Sequence, residues 1–490
     1  MSNFVVAVGG SGAKLMQSLV HMGAAGLLPA QRRKLFALLV DPDENNGNVQ
    51  DCQALVKTYN QCHELLKTGS DDLFSAAINL EGPWTPIRDP RVDTLSEIFQ
   101  YDKLVQAKAP DAELLDLFFE KQEINMSIKQ GFRGRPSVGA TVFAHSVRFD
   151  EPPWSDLKER IKAQSAEGSV RVILAGSVFG GSGASGVPTL VRLLASAFGG
   201  QVTNMHLGLV LFLPFFQFRP VPGEEIQADP AAFPMATAEA LKYYHERGFL
   251  DFCNSIYCVG EEVPSQLVVS AVGAAEQRNE PHFIELVAGM GTMRFFNDQL
   301  PSKSGALAVA GRKSENTVAW DDLPYDEHKG RDLTRKLQQM AVFSVAYRYI
   351  FYPQIEAALT AGKSQTAFWV DHVERPKVDR ALAGRALREL YDYVGKFLEW
   401  FLRVSTPHRE GFVPGAINPN VFAVRESGSW RLKQIPEFND RDFPDLLLNR
   451  LARTRLDCRS IYEKSARAVN DKNAAGPGLL VRAIYDACAA

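Results

Sequence analysis

The sequence predicts an α/β protein built around a doubly wound parallel sheet. Short, continuous apolar runs are typical of strands that are buried on both faces, as they are in parallel sheets. Such runs occupy residues 4–8, 35–40, 170–175, 206–213 and 255–259. Amphipathic helical patterns lie between them, at 14–22 and 188–197. The alternation of strands with helices indicates right-handed crossovers.

Composition and charge restrict the classes of protein to which this chain can belong. Hydrophobic residues make up 46% and charged residues 23% of 490 residues, which is typical of a folded chain with two or three domains. The net charge of −3 gives no reason to expect a nucleic acid or membrane partner. The apolar run at 207–218 is shorter than the ~20 residues of a spanning helix. Because the first residues lead directly into a strand, we expect no signal peptide and a cytoplasmic location.

The cysteines do not form a recognisable metal or disulfide pattern. They stand at positions 52, 62, 253, 258, 458 and 488, without a CxxC pair. The sequence therefore predicts reduced thiols rather than a zinc site or a disulfide framework.

The segment from about 51 to 130 interrupts the strand–helix alternation. Helical stretches at 52–69 and 112–131 flank a proline-rich stretch at 81–92, which predicts a helical insertion. Later in the chain, helical patterns cover 282–297, 333–361 and 377–404, and strand-like stretches lie within 302–322.

A first glycine-rich stretch follows the first strand. The strand ends at residue 8, and Gly9, Gly10, Ser11 and Gly12 lead into a helix. A helix N-terminus offers unpaired N–H groups and a partial positive charge, which together favour phosphate. The spacing matches neither Walker A nor the GxGxxG of dinucleotide enzymes with its downstream acidic residue.

A second glycine-rich stretch follows the strand at 170–175. It contains Gly180, Gly181, Ser182, Gly183, Ala184 and Ser185, and we expect Pro188 near the first turn of the next helix. Two such loops at two strand ends can hold one polyphosphate from two sides. The alternative is a pair of unrelated tight turns.

The second stretch, GGSGASG, resembles the GGGTGTG or GGTGSG signature of the tubulin/FtsZ superfamily, with Ser182 in the place of threonine. The first stretch is similar to that family's N-terminal phosphate loop, with Ala13 where asparagine is usual. The resemblance implies a Rossmann-like GTPase domain of a divergent bacterial member, with GTP or GDP and Mg²⁺ as ligands. Lys14 would then supply positive charge to the nucleotide.

Two further stretches occur in the family's order. Asp41, with Asp43 and Glu44, resembles the acidic loop that approaches the metal or nucleotide, although a solvated acidic turn is the alternative. Residues 131–140 resemble the loop around the terminal phosphate. Arg133 and Arg135 would there contact phosphate oxygens; otherwise they are surface arginines.

The helical pattern at 282–297 resembles the family's central helix at both ends. At its start, Asn279 would read the guanine edge and Phe283 would lie against the base, unless Asn279 is a helix cap. At its end, Asn297 and Asp298 resemble the loop that reaches the nucleotide of the next subunit and positions water. In this chain the two residues are adjacent, whereas in the family's pattern one residue stands between the Asn and the Asp. A helix C-terminal cap is the alternative.

These observations predict three regions: a GTPase domain over 1–280, a central helix and interface loop over 281–300, and a second α+β domain with extra C-terminal helices over 301–490. The leading hypothesis is a GTPase that assembles head to tail into homopolymers. The alternative is a non-polymerising nucleotide-dependent switch or scaffold, with the helical insertion and C-terminal region as docking surfaces for protein partners. A dinucleotide-dependent oxidoreductase is disfavoured because its fingerprint is missing.

Overall fold

The α/β class is confirmed by a computed structural model of the chain. It describes residues 2–28, 34–66, 73–74, 76–89, 91–198, 204–217, 229–261, 265–266, 274–297, 306–309, 327–361, 379–405, 417–426, 429–447, 457–470 and 476–489. The strands in these residues are β1 (Asn3–Val8), β2 (Lys34–Val40), β3 (Ala77–Trp84), β4 (Val170–Ser177), β5 (Met205–Phe212), β6 (Phe216–Gln217), β7 (Ser255–Val259), β8 (Ser265–Gln266), β9 (Ala306–Val309), β10 (Ala423–Glu426) and β11 (Ser429–Leu432).

One parallel sheet organises the described residues. It has seven strands in the order β3-β2-β1-β4-β5-β7-β9, and every pairing is parallel. The central strands β1 and β4 are buried along their whole length because helices cover both faces. Within β1, Val5 and Ala7 point to one core cluster, while Phe4, Val6 and Val8 point to the other.

The helices are α1 (Gly9–Ala24), α2 (Gly47–Leu65), α3 (Leu95–Phe99), α4 (Tyr101–Gln106), α5 (Pro110–Phe118), α6 (Lys121–Asn125), α7 (Pro136–Ser146), α8 (Trp154–Glu167), α9 (Gly181–Phe198), α10 (Phe233–Glu246), α11 (Phe283–Asn297), α12 (Glu327–Ala346), α13 (Tyr352–Ala361), α14 (Arg380–Ser405), α15 (Cys458–Asn470) and α16 (Pro477–Ala487). Helices α1, α2, α11, α12 and α14 pack in one core cluster, and α7, α8 and α9 pack in the other.

The predicted helical insertion contains a strand that the sequence patterns did not indicate. Residues Ala77–Trp84 form β3, the edge strand that pairs with β2. Its sequence mixes polar residues with a Gly–Pro pair, and its side chains are only partly buried. An edge strand needs neither a continuous apolar run nor a full set of N–H donors. The insertion therefore contains an edge strand of the sheet, with helix α2 before it and helices α3 to α6 after it.

The C-terminal helices share a core with the sheet. Helix α14 packs on α2, and its Trp400 ring stacks on His21 of α1 with ring centroids 4.8 Å apart. Tyr393 Oη lies 3.2 Å from His21 Nδ1. Burial lowers the pKa of His21 to about 3, so this histidine is neutral at physiological pH. The helical predictions at 282–297, 333–361 and 377–404 are confirmed. The domain boundaries stay a prediction.

The described residues also show the state of the cysteines and the character of the helices. All six cysteines lie within them and are free thiols. None of the helices there has the length and the apolar character needed to cross a bilayer.

Candidate functional site

The two glycine-rich stretches meet at the carboxyl edge of the sheet. Strands β1 and β4 are parallel neighbours, so the helices that follow them, α1 and α9, begin side by side. A Cβ built on Gly9 would lie 3.4 Å from Ser182 Cβ and 3.7 Å from the Gly183 nitrogen. Gly9 and Ser182, which are 173 positions apart in the chain, thus form one surface, as predicted for a shared ligand.

The N-termini of α1 and α9 are suited to an anion. The residue that precedes α1, Val8, makes no side-chain cap, and neither helix has an acidic residue in its first turn. The first N–H groups of a helix have no acceptor within it and carry a partial positive charge. Parts of this surface remain accessible at Gly10, Ser11 and at 180–182. An anion can therefore approach both helices at one point.

The glycine stretches are not loops before helices, as the sequence suggested, but the first turns of the helices themselves. A Cβ on Gly12 would lie 2.7 Å from the carbonyl carbon of Ala7, and one on Gly183 would overlap the backbone of Ser177. Both glycines therefore allow a helix to approach a strand closely. Pro188, expected in the first turn, lies well inside α9.

Ala184 and Ser185 are placed inside the fold rather than on the accessible surface. They are 5% and 1% exposed. The Ser185 hydroxyl donates to the Gly181 carbonyl oxygen at 2.7 Å. In this arrangement Ser185 supports the turn that carries Gly181 and Ser182.

The segment after β2 lies beside the first glycine stretch. Asp41 is 3% exposed; its Oδ1 accepts the Asp43 N–H at 2.9 Å, and its Oδ2 has no hydrogen-bond partner. Burial raises the pKa of Asp41 to about 7. This carboxyl group is therefore not the solvated acidic turn that the sequence left open.

Asn46 and Asn48, which the sequence interpretation did not select, connect this segment to residues 277–279. Asn48 Oδ1 accepts the Asn279 N–H at 2.8 Å, and Asn46 Nδ2 donates to Gln277 Oε1 at 2.6 Å. Both asparagines are buried, and Asn48 Nδ2 lies 3.1 Å from the position of a Cβ on Gly10. Asn46 also caps α2 through its side chain, and an asparagine before a helix is the signal that identifies such a residue.

Lys14 lies behind this surface rather than on it. It is 3% exposed, and its Nζ donates to the Asn279 carbonyl oxygen at 2.9 Å and lies 3.6 Å from Glu285 Oε2. Burial raises the pKa of Glu285 to about 6, against the opposing effect of the Lys14 charge. In this conformation the positive charge of Lys14 is paired within the protein and is not presented to a ligand.

The two predicted arginines lie on a loop that contacts the second glycine stretch. A Cβ on Gly181 would lie 3.0 Å from Phe132 Cβ and 3.1 Å from the Gly134 nitrogen. Arg133 is partly buried and donates to Gln130 Oε1 at 3.2 Å. Arg135 is exposed, with its Nε 3.6 Å from Glu123 Oε1. The loop is thus at the site, and Arg135 is the more accessible cation.

Helix α11 joins the site to the opposite edge of the sheet. Phe283, its first residue, is 7% exposed and packs in the core. Near its end, the Phe295 carbonyl oxygen accepts a hydrogen bond from Arg171, at the start of β4. Fifteen helical residues span about 22 Å. Asn297 is therefore exposed at the far edge from the glycine stretches, and Asp298 lies outside the described residues.

Comparisons with known proteins give weak similarities. No protein-family model matches the chain, and no curated protein matches it. A solved structure of CetZ from Methanosaeta thermophila is 12% identical, with a TM-score of 0.24, over 59% of this chain and 51% of that one. CetZ2 from Haloferax volcanii, described as a GTPγS-bound protofilament, is 15% identical with a TM-score of 0.29, over 81% of this chain and 86% of that one.

The chain thus spans about half the length of the first of these proteins and most of the second. Both belong to the tubulin/FtsZ superfamily, which the sequence motifs resemble, but neither supports the predicted bacterial subgroup. TM-scores this low assign no family. The functional interpretation therefore depends on the residues of this chain.

Proposed function

We propose that the protein binds GTP where α1 and α9 meet, and that it is a GTPase of the tubulin/FtsZ type. One observation carries this proposal: two glycine-rich helix N-termini, neither with an acidic residue in its first turn, meet at Gly9 and Ser182. Together they direct N–H groups and partial positive charge to one point. A nucleoside di- or triphosphate fits this arrangement, because its linked phosphate groups can bind at the two adjacent helix N-termini.

The base is proposed to lie against the segment at 277–283. The backbone N–H and C=O of Asn279 are bonded to Asn48 and Lys14, so neither bond uses its side-chain amide. An amide in this position can donate to and accept from the edge of guanine. We propose that Phe283, from its buried place at the start of α11, forms the wall behind the base.

The terminal phosphate is proposed to lie between Ser182 and the loop at 131–135. Arg135 is accessible there and can add a charge-assisted hydrogen bond. Asp41 suits Mg²⁺, because one of its carboxylate oxygens has no partner in the structure. Mg²⁺ in nucleotide sites is typically held by one or two carboxylates together with phosphate oxygens. Bound there, Mg²⁺ would neutralise phosphate charge and keep Asp41 ionised.

Hydrolysis is proposed to require two subunits. Asn297 ends α11 at the amino edge of the sheet, about 22 Å along the helix from Phe283. A residue there cannot reach a phosphate at the carboxyl edge of the same chain. A head-to-tail contact would bring Asn297 and Asp298 of one subunit to the nucleotide of the next, where the Asp298 carboxylate would orient water. Such contacts, when they do not close, produce filaments.

A second candidate function is a nucleotide-dependent switch that acts through another protein without forming filaments. It is favoured by the apolar side chains on the helical insertion. Leu117 and Phe118 of α5 are 75% and 68% exposed, and Leu114 beside them is 49% exposed. Exposed apolar clusters of this kind mark protein contacts. Light scattering with GTP and with GDP separates the two candidates, because only the first predicts a GTP-dependent increase.

Equilibrium binding of fluorescent GTP tests the proposed site. Ser182→Trp places an indole where Ser182 meets Gly9, so we expect at least a tenfold loss of affinity. Ser165→Trp on the distant helix α8 is the matched control and should bind as the wild type does. Equal affinity of the two tryptophan variants would remove the junction of α1 and α9 from nucleotide binding.

A further inference from the structure

Two buried asparagines link the first glycine stretch, which we propose to contact phosphate, to the segment that we propose to contact the base. Asn46 and Asn48 flank Gly47 at the start of α2 and are 3% and 2% exposed. Buried amides are retained only where their donors and acceptors are satisfied. The hydrogen-bond partners of these two asparagines do not all belong to α2. They lie on residues 277–279, more than 200 positions later in the chain.

The bonds fix both the backbone and one side chain of that later segment. Asn48 accepts the Asn279 N–H with its Oδ1 at 2.8 Å and donates its own N–H to the Gln277 carbonyl oxygen at 3.3 Å. Asn46 Nδ2 donates to Gln277 Oε1 at 2.6 Å. Gly47 permits this contact, because a Cβ there would lie only 2.5 Å from the Ala275 carbonyl oxygen. The segment is thus held flat against the N-terminus of α2.

The same asparagines touch the first glycine stretch. Asn48 Nδ2 lies 3.1 Å, and Asn46 Nδ2 3.8 Å, from the position of a Cβ on Gly10. The Asn48 carbonyl oxygen also accepts from Gln17 of α1 at 3.0 Å. One pair of side chains is therefore in contact with the accessible first turn of α1 and with the backbone of Asn279.

We infer that Asn48, supported by Asn46, is a positioning residue that sets base selectivity. It orients the Asn279 side chain toward the base while its own amide contacts the first turn of α1. This inference rests on the proposed GTP-binding function and adds its specificity determinant. Without the Asn48 bond, Asn279 loses the backbone restraint on its N–H side, and its amide meets guanine and adenine with similar geometry.

Nucleotide affinities of single variants test this role. Dissociation constants for GTP, GDP and ATP are measured by competition against fluorescent GTP. For Asn48→Ala we expect the preference for GTP over ATP to fall about tenfold, equivalent to about 1.4 kcal/mol, while the GTP-to-GDP ratio changes little. Asn48→Asp keeps the Oδ1 acceptor for the Asn279 N–H, so it should retain base preference and bind all three nucleotides more weakly through charge repulsion.

Asn60→Ala is the matched control, because Asn60 lies on the same helix and its Nδ2 donates to the Ile78 carbonyl oxygen at 2.8 Å, away from the site. It should leave base preference unchanged. Asn46→Ser tests the same inference if Asn48→Ala does not fold, because serine keeps the helix cap and loses the bond to Gln277. A smaller loss of preference is expected.

The outcomes separate this inference from the proposed function. If the wild type prefers GTP and both Asn48→Ala and Asn46→Ser keep that preference, the positioning role is overturned and GTP binding stays intact. Equal weakening of GTP and ATP in Asn48→Ala would also overturn it, since a general structural defect has that signature. A wild-type protein that binds none of the three nucleotides would overturn the proposed function itself.

Discussion

Lys14 of α1 and Glu285 of α11 form a buried ion pair, with Nζ and Oε2 3.6 Å apart and each side chain 4% exposed. Lys14 also donates to the Asn279 carbonyl oxygen. The pair therefore connects α1, which begins at the carboxyl edge of the sheet, to α11, which runs to the opposite edge.

Removal of Lys14 should destabilise the protein strongly. Lys14→Met leaves Glu285 buried without a cation, which typically costs about 3–5 kcal/mol of the free energy of unfolding. Urea denaturation followed by circular dichroism measures the loss. The double variant Lys14→Met/Glu285→Leu should recover most of it, because no charge is then left unpaired. Glu463→Gln, in an exposed pair with Arg459, is the control and should change the free energy of unfolding little, because solvent screens that pair. A Lys14→Met variant as stable as this control would contradict the assignment.

The buried Asp41 should make stability depend on pH. Its pKa of about 7 lies above its ordinary value of 3.8, so folding favours the protonated form. The stability that this group contributes is full below about pH 4 and is lost as the pH rises toward 7. Asp41→Asn mimics the protonated state and keeps an Oδ1 acceptor for the Asp43 N–H. Relative to wild type, this variant should therefore become more stable between pH 5 and pH 8, as measured by urea denaturation without nucleotide. A stability difference that does not change with pH would contradict the raised pKa.

Two glycines in the same turn should respond differently to alanine. In Gly12→Ala the new methyl group would lie within 3 Å of the Ala7 backbone and the Ala175 carbonyl oxygen, which should cost about 1–3 kcal/mol of stability. In Gly10→Ala it would lie 3.1 Å from the Asn48 amide, a contact that a small side-chain shift can relieve, and 3.8 Å from the Asn46 amide, an ordinary van der Waals distance. Thermal unfolding should therefore detect Gly12→Ala, and GTP binding should detect Gly10→Ala. Loss of stability in both variants alike would show that Gly10 is a packing glycine too.

Hydrolysis should be restored by mixing two inactive variants. Asp298→Ala should bind GTP but fail to hydrolyse it, and Ser182→Trp should fail to bind it. In an equimolar mixture, Ser182→Trp subunits supply Asp298 to nucleotides held by Asp298→Ala subunits. About a quarter of wild-type phosphate release is expected, because about one random head-to-tail contact in four has the productive pairing. No release from the mixture, with an active wild type, would exclude catalysis across the subunit contact.

The sheet was largely predictable because continuous apolar runs identify strands that are buried on both faces. The run at 4–8 became β1, and the run at 255–259 coincides with β7. The edge strand β3 was not predictable, since Asn79, Glu81 and the Gly–Pro pair that follows match no strand pattern. Edge strands are specified by the neighbour they pair with, which a single sequence does not show.

The candidate site was predictable in its outline but not in its connections. Glycines after two strands indicated two helix N-termini, and parallel neighbouring strands brought them together. The sequence could not show that Gly12 and Gly183 serve helix–strand packing, because a glycine is required in either role. Nor could it show that Lys14 pairs with Glu285 or that Asn48 binds Asn279, since those partners are more than 200 positions apart.

Identification of the nucleotide bound to the purified protein tests the central claim most directly. The protein is incubated with a mixture of GTP, ATP and NAD, freed of excess ligand, and denatured, and the released compounds are separated by ion-exchange chromatography. The wild type should release a guanine nucleotide in near-stoichiometric amount, and Ser182→Trp should release little. Release of NAD or ATP in place of a guanine nucleotide would contradict a GTP site where α1 and α9 meet. A folded wild-type protein that releases none of these compounds would contradict it as well.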